Sequence, residues 1–188
     1  DTSGITALIA SAGVCVGLAV NGALSNLAGG IMLIVTRPFK IDDYIEALGH
    51  SGTVEEIRIT QTKLRTPDNK VVYIPNGTLS ASEIINYSEK DIRRLDNTFG
   101  IAYDCDFEKA KQIITDICLA HELVLKDPAP FVRVSNHGNS SIDIVARVWT
   151  KSADYWTVHF DLLEKVLTEF EANGIEIPYE QLDVNIKQ

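Results

Sequence analysis

Between Thr2 and Thr36 the chain carries no charged side chain. A bilayer core needs only about 20 predominantly apolar residues in a helix, so this run excludes an ordinary surface helix and predicts entry into a membrane. Catalytic signatures are missing as well. There is no HExxH, no nucleophile elbow, no P-loop, and no glycine-rich loop after a strand to cradle a phosphate. His121, His137, His159, Asp104, Asp106 and Asp154 are scattered without ligand or triad spacing. His159, beside Trp156 in a predicted helix, reads as a structural histidine. We expect no enzyme, no cofactor and no metal. A basic surface is lacking too: at a net charge of −9 over 188 residues, nucleic-acid binding has no support. Cysteine is scarce. Cys15 lies in the apolar run, and Cys105 and Cys118 have no CxxC or His partner spacing, so all three read as reduced packing residues.

The averages conceal the asymmetry, because near-neutral mean hydropathy combined with an acidic charge describes an ordinary soluble protein. A secretory signal would have a basic leading segment and a short apolar core. Here Asp1 stands in front and the run is too long. A core helix of a soluble protein would rarely be apolar all round over such a length. Arg37 and Lys40 follow the run, and basic residues beside a membrane helix mark the cytoplasmic side. The remainder is therefore expected in the cytosol, where the acceptor patterns at Asn76, Asn86 and Asn139 meet no glycosylation machinery. With no initiator methionine and a start at the threshold of a helix, upstream residues are expected.

The run is rich in Gly and Ala, which let membrane helices approach closely. At 100° per residue one stripe holds Ala7, Ser11, Val14, Leu18, Asn21 and Ser25, too polar to face hydrocarbon cheaply. One flank carries Ala10, Gly13 and Gly17, and the other Ser11, Cys15 and Gly22. Ile5, Ile9, Val16 and Val20 form a greasy back suited to lipid. Two narrow flanks, a greasy back and a mixed front fit a ring of identical helices around an axis. Val14 and Leu18, one turn apart, would then form two apolar rings that expel water. A GxxxG dimer face without a pore fits the helix alone equally well. Gly22 permits a kink, after which Leu24, Leu27, Ile31, Leu33 and Ile34 predict an amphipathic continuation along the membrane surface until Pro38.

Beyond it, short β-rich runs from Tyr44 to Tyr87, broken at Gly49, Gly52, Asp68-Asn69 and Pro75-Asn76-Gly77, predict a compact β domain. From Thr98 the pattern becomes strand (to Ala102), helix (Phe107 to His121), strands (Phe131 to Ser135 and Ile142 to Trp149), helix (Tyr155 to Asn173) and strand (Ile175 to Ile177). That order predicts a ferredoxin-like α/β unit, with Gly174 stopping its second helix. Leu182 to Lys187 alternates apolar and polar without a nearby partner, and a lone strand must pair with other chains.

The stretch Gly17-Leu-Ala-Val-Asn-Gly-Ala-Leu-Ser-Asn-Leu-Ala-Gly-Gly30 with Arg37-Pro-Phe39 resembles the third transmembrane helix and exit of the MscS family of mechanosensitive channels. Gly52-Thr-Val-Glu-Glu-Ile57, Thr62-Lys-Leu-Arg-Thr66, Ile74-Pro-Asn-Gly77 and Ile85-Asn-Tyr-Ser88 resemble its β domain in order and spacing. The resemblance implies a membrane pore helix over 1–36, an Sm-like β domain over 37–90, a ferredoxin-like α/β domain over 91–180, and a strand of an intersubunit β-barrel over 181–188. It places the pore constriction at Val14 and Leu18, the interlocking small residues of helix packing at Ala7, Ala10, Ser11, Gly13, Cys15 and Gly17, and the hinge at Gly22, while the front stripe read from periodicity supplies the pore lining at Ala7, Ser11 and Asn21. Two departures stand out: Val14 where the family commonly has Leu, and Ala10 where it has Gly. The implied protein is a homoheptamer in a bacterial inner membrane, multi-pass in full length, with a cytoplasmic C-terminal region. It would open a wide, weakly selective pore under tension and release ions and small solutes on hypoosmotic shock, with lipid, permeating solutes and its own copies as partners. The family's first two membrane helices have no counterpart in these residues. The alternative is a membrane-anchored cytosolic oligomer that scaffolds or binds a ligand without conducting.

Overall fold

The computed structural model describes residues 2–182, with the side chain of Ser3 excepted. It divides into two compact units at Glu89/Lys90. The first begins with α1 (Thr2–Thr36), one unbroken helix through Gly22. The backbone leaves it at Arg37, which adopts a left-handed φ of 48° while its N–H donates to the Leu33 carbonyl (3.0 Å), and Pro38 prevents resumption.

Five antiparallel strands follow: β1 (Tyr44–Ala47), β2 (His50–Ile57), β3 (Gln61–Arg65), β4 (Val71–Pro75) and β5 (Ile84–Asn86), in the order β4-β3-β2-β1-β5. Their period-two alternation puts Ile45, Ala47, Val54, Leu64 and Ile74 into one core with Leu79. The β1–β2 hairpin turns through Leu48 and Gly49, both at positive φ, as a two-residue turn of primed hand requires. On β2, Glu55 meets Lys63 (2.7 Å) and Arg65 (3.0 Å), and the Lys63 hydrogen bond holds its carboxyl below the usual range. The sequence reading of Pro75-Asn76-Gly77 as a plain break needs correction: Pro75 caps a short helix, α2 (Asn76–Ser80).

The second unit is a three-stranded antiparallel sheet, β6 (Ile92–Ile101), β8 (Ile142–Lys151) and β7 (Phe131–His137), in the order β6-β8-β7. Helices α3 (Phe107–Ala120) and α4 (Tyr155–Ala172) cover one face. Asp106 caps α3 by accepting from the Glu108 and Lys109 amides. Ala110, Ile114, Ile117 and Cys118 turn inward from α3, and Val158, Leu162, Val166 and Phe170 from α4. Burial pushes the Cys118 thiol up to about 11. Gly174 ends α4 in the left-handed region (φ 70°), where the Ile175 amide donates to Phe170 O (2.9 Å) and the Gly174 amide to Glu171 O (3.3 Å), a Schellman stop.

Two expectations change here. The first strand starts at Ile92, ahead of Thr98, because Leu95 and Asn97 already alternate inward. Ile175 to Ile177 is no strand: one backbone bond, Ala102 N–H to Glu176 O (2.9 Å), joins it to the end of β6, since the chain reaches that edge only as the strand finishes. The expected barrel strand falls almost wholly on 183–188, outside the described residues.

Candidate functional site: the two halves of the apolar helix

All ten residues that the sequence singles out lie on the first two-thirds of α1, and all ten are exposed: Ala7, Ala10, Ser11, Gly13, Val14, Cys15, Gly17, Leu18, Asn21 and Gly22. Val14 and Leu18 are 62% and 71% exposed, although apolar burial is worth roughly 25 cal/mol per Å². The helix is long and apolar enough to cross a membrane, and its membrane-length window has no buried residue. A Cβ built at Gly4, Gly13, Gly17 or Gly22 would meet no atom within 4 Å. Their smallness therefore serves no packing among the described residues. The front stripe is less polar than its composition implies, because the Ser11 hydroxyl donates back to Leu8 O (2.9 Å). Among the described residues, Asn21 is left as its unpartnered amide.

The last third of α1 behaves differently. Gly29 and Gly30, adjacent in the helix, and Leu33, one turn on, are buried and rest on the β unit. A Cβ on Gly29 would run into the backbone carbonyl of Asn76, and one on Gly30 into that of Ile59. From the other side, a Cβ on Gly77 would come within 2.6 Å of Ser25 Oγ. Asn26 Oδ1 accepts from the Gly77 amide (2.9 Å), fixing the rotation of the helix on this seat.

Asn76 organises the seat. Fully buried, it accepts from Thr62 Oγ1 (2.8 Å) and donates through Nδ2 to Arg58 O (2.7 Å) and Ile59 O (3.1 Å). Its own amide donates to Thr60 O (3.0 Å). One side chain thus ties the β2–β3 turn to the start of α2, where the glycine face lands. Sequence reasoning missed Asn26, Gly29, Gly30, Thr62, Asn76 and Gly77 as a set. Their signal was two adjacent glycines and an amide inside a helix, each unfavourable there without a packing reason.

The other candidates occupy separate places in the second unit. His159 Nδ1 lies 2.7 Å from the buried Asn97 Oδ1 with the Trp156 ring against it. His121 Nε2 lies 3.1 Å from Asp161.

Comparison with known proteins covers nearly the whole chain. Residues 22–89 match the family model described as mechanosensitive ion channel, beta-domain, and 95–177 the one described as mechanosensitive ion channel MscS, C-terminal. A small-conductance mechanosensitive channel of Edwardsiella ictaluri is 42% identical over 95% of this chain and 62% of its own length. A protein of the same name from Helicobacter pylori is 35% identical over all of this chain and 69% of its own. The crystal structure of Helicobacter pylori MscS in its closed state superposes with a TM-score of 0.94 at 35% identity, covering all of this chain and 75% of that one. The chain thus spans about three-fifths of the length of the Edwardsiella relative.

Proposed function

This chain belongs to the MscS family of mechanosensitive ion channels, and from that premise we propose that it is a pore-forming subunit opened by membrane tension. The observation that carries the reading is the contrast between glycines. Gly13 and Gly17 have nothing beside them among the described residues, yet glycine weakens a helix by about 1 kcal/mol relative to alanine. Small residues at that spacing gain their use when another helix packs there. Copies of α1 arranged as a ring supply that helix on both flanks, with Ala10, Gly13, Cys15 and Gly17 at the seams.

In such a ring Ala7, Ser11 and Asn21 line the pore, and Val14 and Leu18 constrict it. Apolar rings close a pore by shedding water, with no plug required. Gly22 lies between the exposed part of the helix and its seat, where a hinge is useful. We take the assembly to be a homoheptamer in a bacterial inner membrane, with the β and α/β units in the cytoplasm and residues 181–188 contributing a barrel strand. Its partners are lipid, permeating ions and small solutes, and the protein is not an enzyme.

The test is single-channel recording under suction from the full-length protein in liposomes. Stepwise, weakly selective currents that rise with suction are expected. Silent patches from protein shown to be inserted would leave the scaffold reading in place. Native mass spectrometry after deleting 182–188 tests the barrel strand: an equally stable heptamer would remove it.

A further inference from the structure

His121 is the cap residue that ends α3, and both nitrogens of its ring are engaged. The Leu123 amide donates to Nδ1 (3.2 Å), and Asp161 Oδ2 of α4 lies 3.1 Å from Nε2. A backbone N–H can only donate, so Nδ1 is the acceptor, and the proton of the neutral ring sits on Nε2 and is donated to Asp161. One tautomer satisfies both contacts. The cation does not, because its second proton enters at Nδ1 and meets the Leu123 N–H.

The charges around the ring decide where it turns once protonated. The ring is largely buried, and a buried charge needs a partner. It lines a hollow of about 500 Å³ between α3 and α4, with room to turn. From α3 come Ile117 and Ala120, both apolar, and from α4 come Asp161, Glu164, Lys165 and Thr168. Lys165 is paired with Glu169 (3.1 Å), whereas Glu164 forms no ion pair among the described residues. Asp161 and Glu164, one turn apart, are thus the carboxylates open to a new cation. On the loop after α3, Lys126 directs its ammonium to the Leu119 and His121 carbonyls, and Glu122 is exposed.

That loop has other anchors. Val124 is buried and bridges to Thr150, the Leu125 amide donates to Trp149 O (2.8 Å), and Thr150 Oγ1 donates to Leu123 O (2.9 Å). Losing the His121 contact therefore frees one amide and leaves the loop in place.

We propose that His121 is a pH-sensitive latch between α3 and α4. Neutral, it holds the Leu123 amide; protonated, it releases that amide and turns into the hollow as a cation shared by Asp161 and Glu164. The Leu123 contact is present while the ring is neutral and is lost as pH falls through the ring's titration, while the Asp161 contact gains a full charge in the same step. Histidine is the side chain that ordinarily changes charge between about pH 5 and 8, so the exchange needs no extreme of pH. The latch lies within the second unit and does not depend on the pore reading.

The test is hydrogen exchange of the full-length chain in detergent between about pH 5.5 and 8, where histidine titrates. It is resolved to single amides by fragmentation in the mass spectrometer and corrected for the intrinsic pH dependence of exchange. Exchange at the His121 ring carbon in the same samples gives the ring's own titration. Leu123 should lose protection about five-fold as the ring becomes charged, the size expected for one hydrogen bond, with Leu125 unmoved. His121→Asn puts an acceptor that does not titrate in place of Nδ1, as in an Asx-turn, and should keep Leu123 protected at every pH. Asp161→Asn should move the ring's titration and the release of Leu123 together to lower pH. Leu123 protection that ignores the ring's titration, a pH step that survives His121→Asn, or joint release of Leu123 and Leu125 would overturn the latch. So would a titration that Asp161→Asn leaves in place.

Discussion

Gly17 and Gly30 belong to the same helix, yet a methyl group on the first would point into empty space and one on the second into a carbonyl of the β unit. The same residue type has two unrelated explanations within one element. Composition states that the backbone is bare at both positions without stating what comes close. The first half of α1 is shaped for neighbours outside the chain and the second for neighbours inside it. A substitution should therefore report on assembly in one half and on folding stability in the other.

The largest expected effect falls on the free half. Leu18→Ser places a hydroxyl in every copy of an apolar ring that closes by dewetting, so we expect current at rest without suction. Resting patches as quiet as wild type, with an unchanged threshold, would remove Leu18 from the constriction.

In the seated half, Gly30→Ala should cost about 3 kcal/mol, the upper end for overpacking, because the obstructing atoms are backbone and cannot rotate away. The unfolding midpoint should fall clearly, and an unchanged one would show that the seat is loose. Asn76→Ala should cost about 1–3 kcal/mol, since it deprives Thr62 of its acceptor and strands the Arg58 and Ile59 carbonyls. Urea unfolding of both variants beside wild type ranks them.

The smallest effect on stability, and the sharpest test of the contrast, comes from Gly17→Ala. Unfolding should not become easier, because nothing among the described residues is near, and alanine's helix propensity should raise stability by about 1 kcal/mol. Channel opening should need more suction, since bulk in each seam obstructs helices that must slide past one another. Recordings referenced to a second channel in the same patch would decide it, an unshifted threshold meaning that this flank does not move.

Much of this was legible in the sequence because it rests on local rules. The uncharged run required a helix suited to a membrane. Alternating residues gave most strands, and Gly174 gave the end of α4. Val14, Leu18 and the small flanks were placed on faces by periodicity alone. The seat was not legible, because it depends on Gly77 reaching back to Asn26, 51 residues earlier, and on Asn76 lying against Gly29 and Gly30. Leu33 shows the same limit. Periodicity put it on an amphipathic helix laid along a membrane, whereas its burial comes from the β unit, which no nearby residue announces. The short strand expected at Ile175 to Ile177 failed for a related reason: β-propensity was present, but the pairing edge was not.

That sequence separation also sets an order of events at the ribosome. On the pore reading, α1 emerges and enters the bilayer before residues 57–79 have left the ribosome, and chains generally fold from the N-terminal end as they are synthesised. For that interval the Gly29–Gly30–Leu33 face has no seat. The two adjacent glycines leave little apolar side chain for it to display, so the feature that later admits a carbonyl also makes the waiting surface a poor target for misplaced contacts.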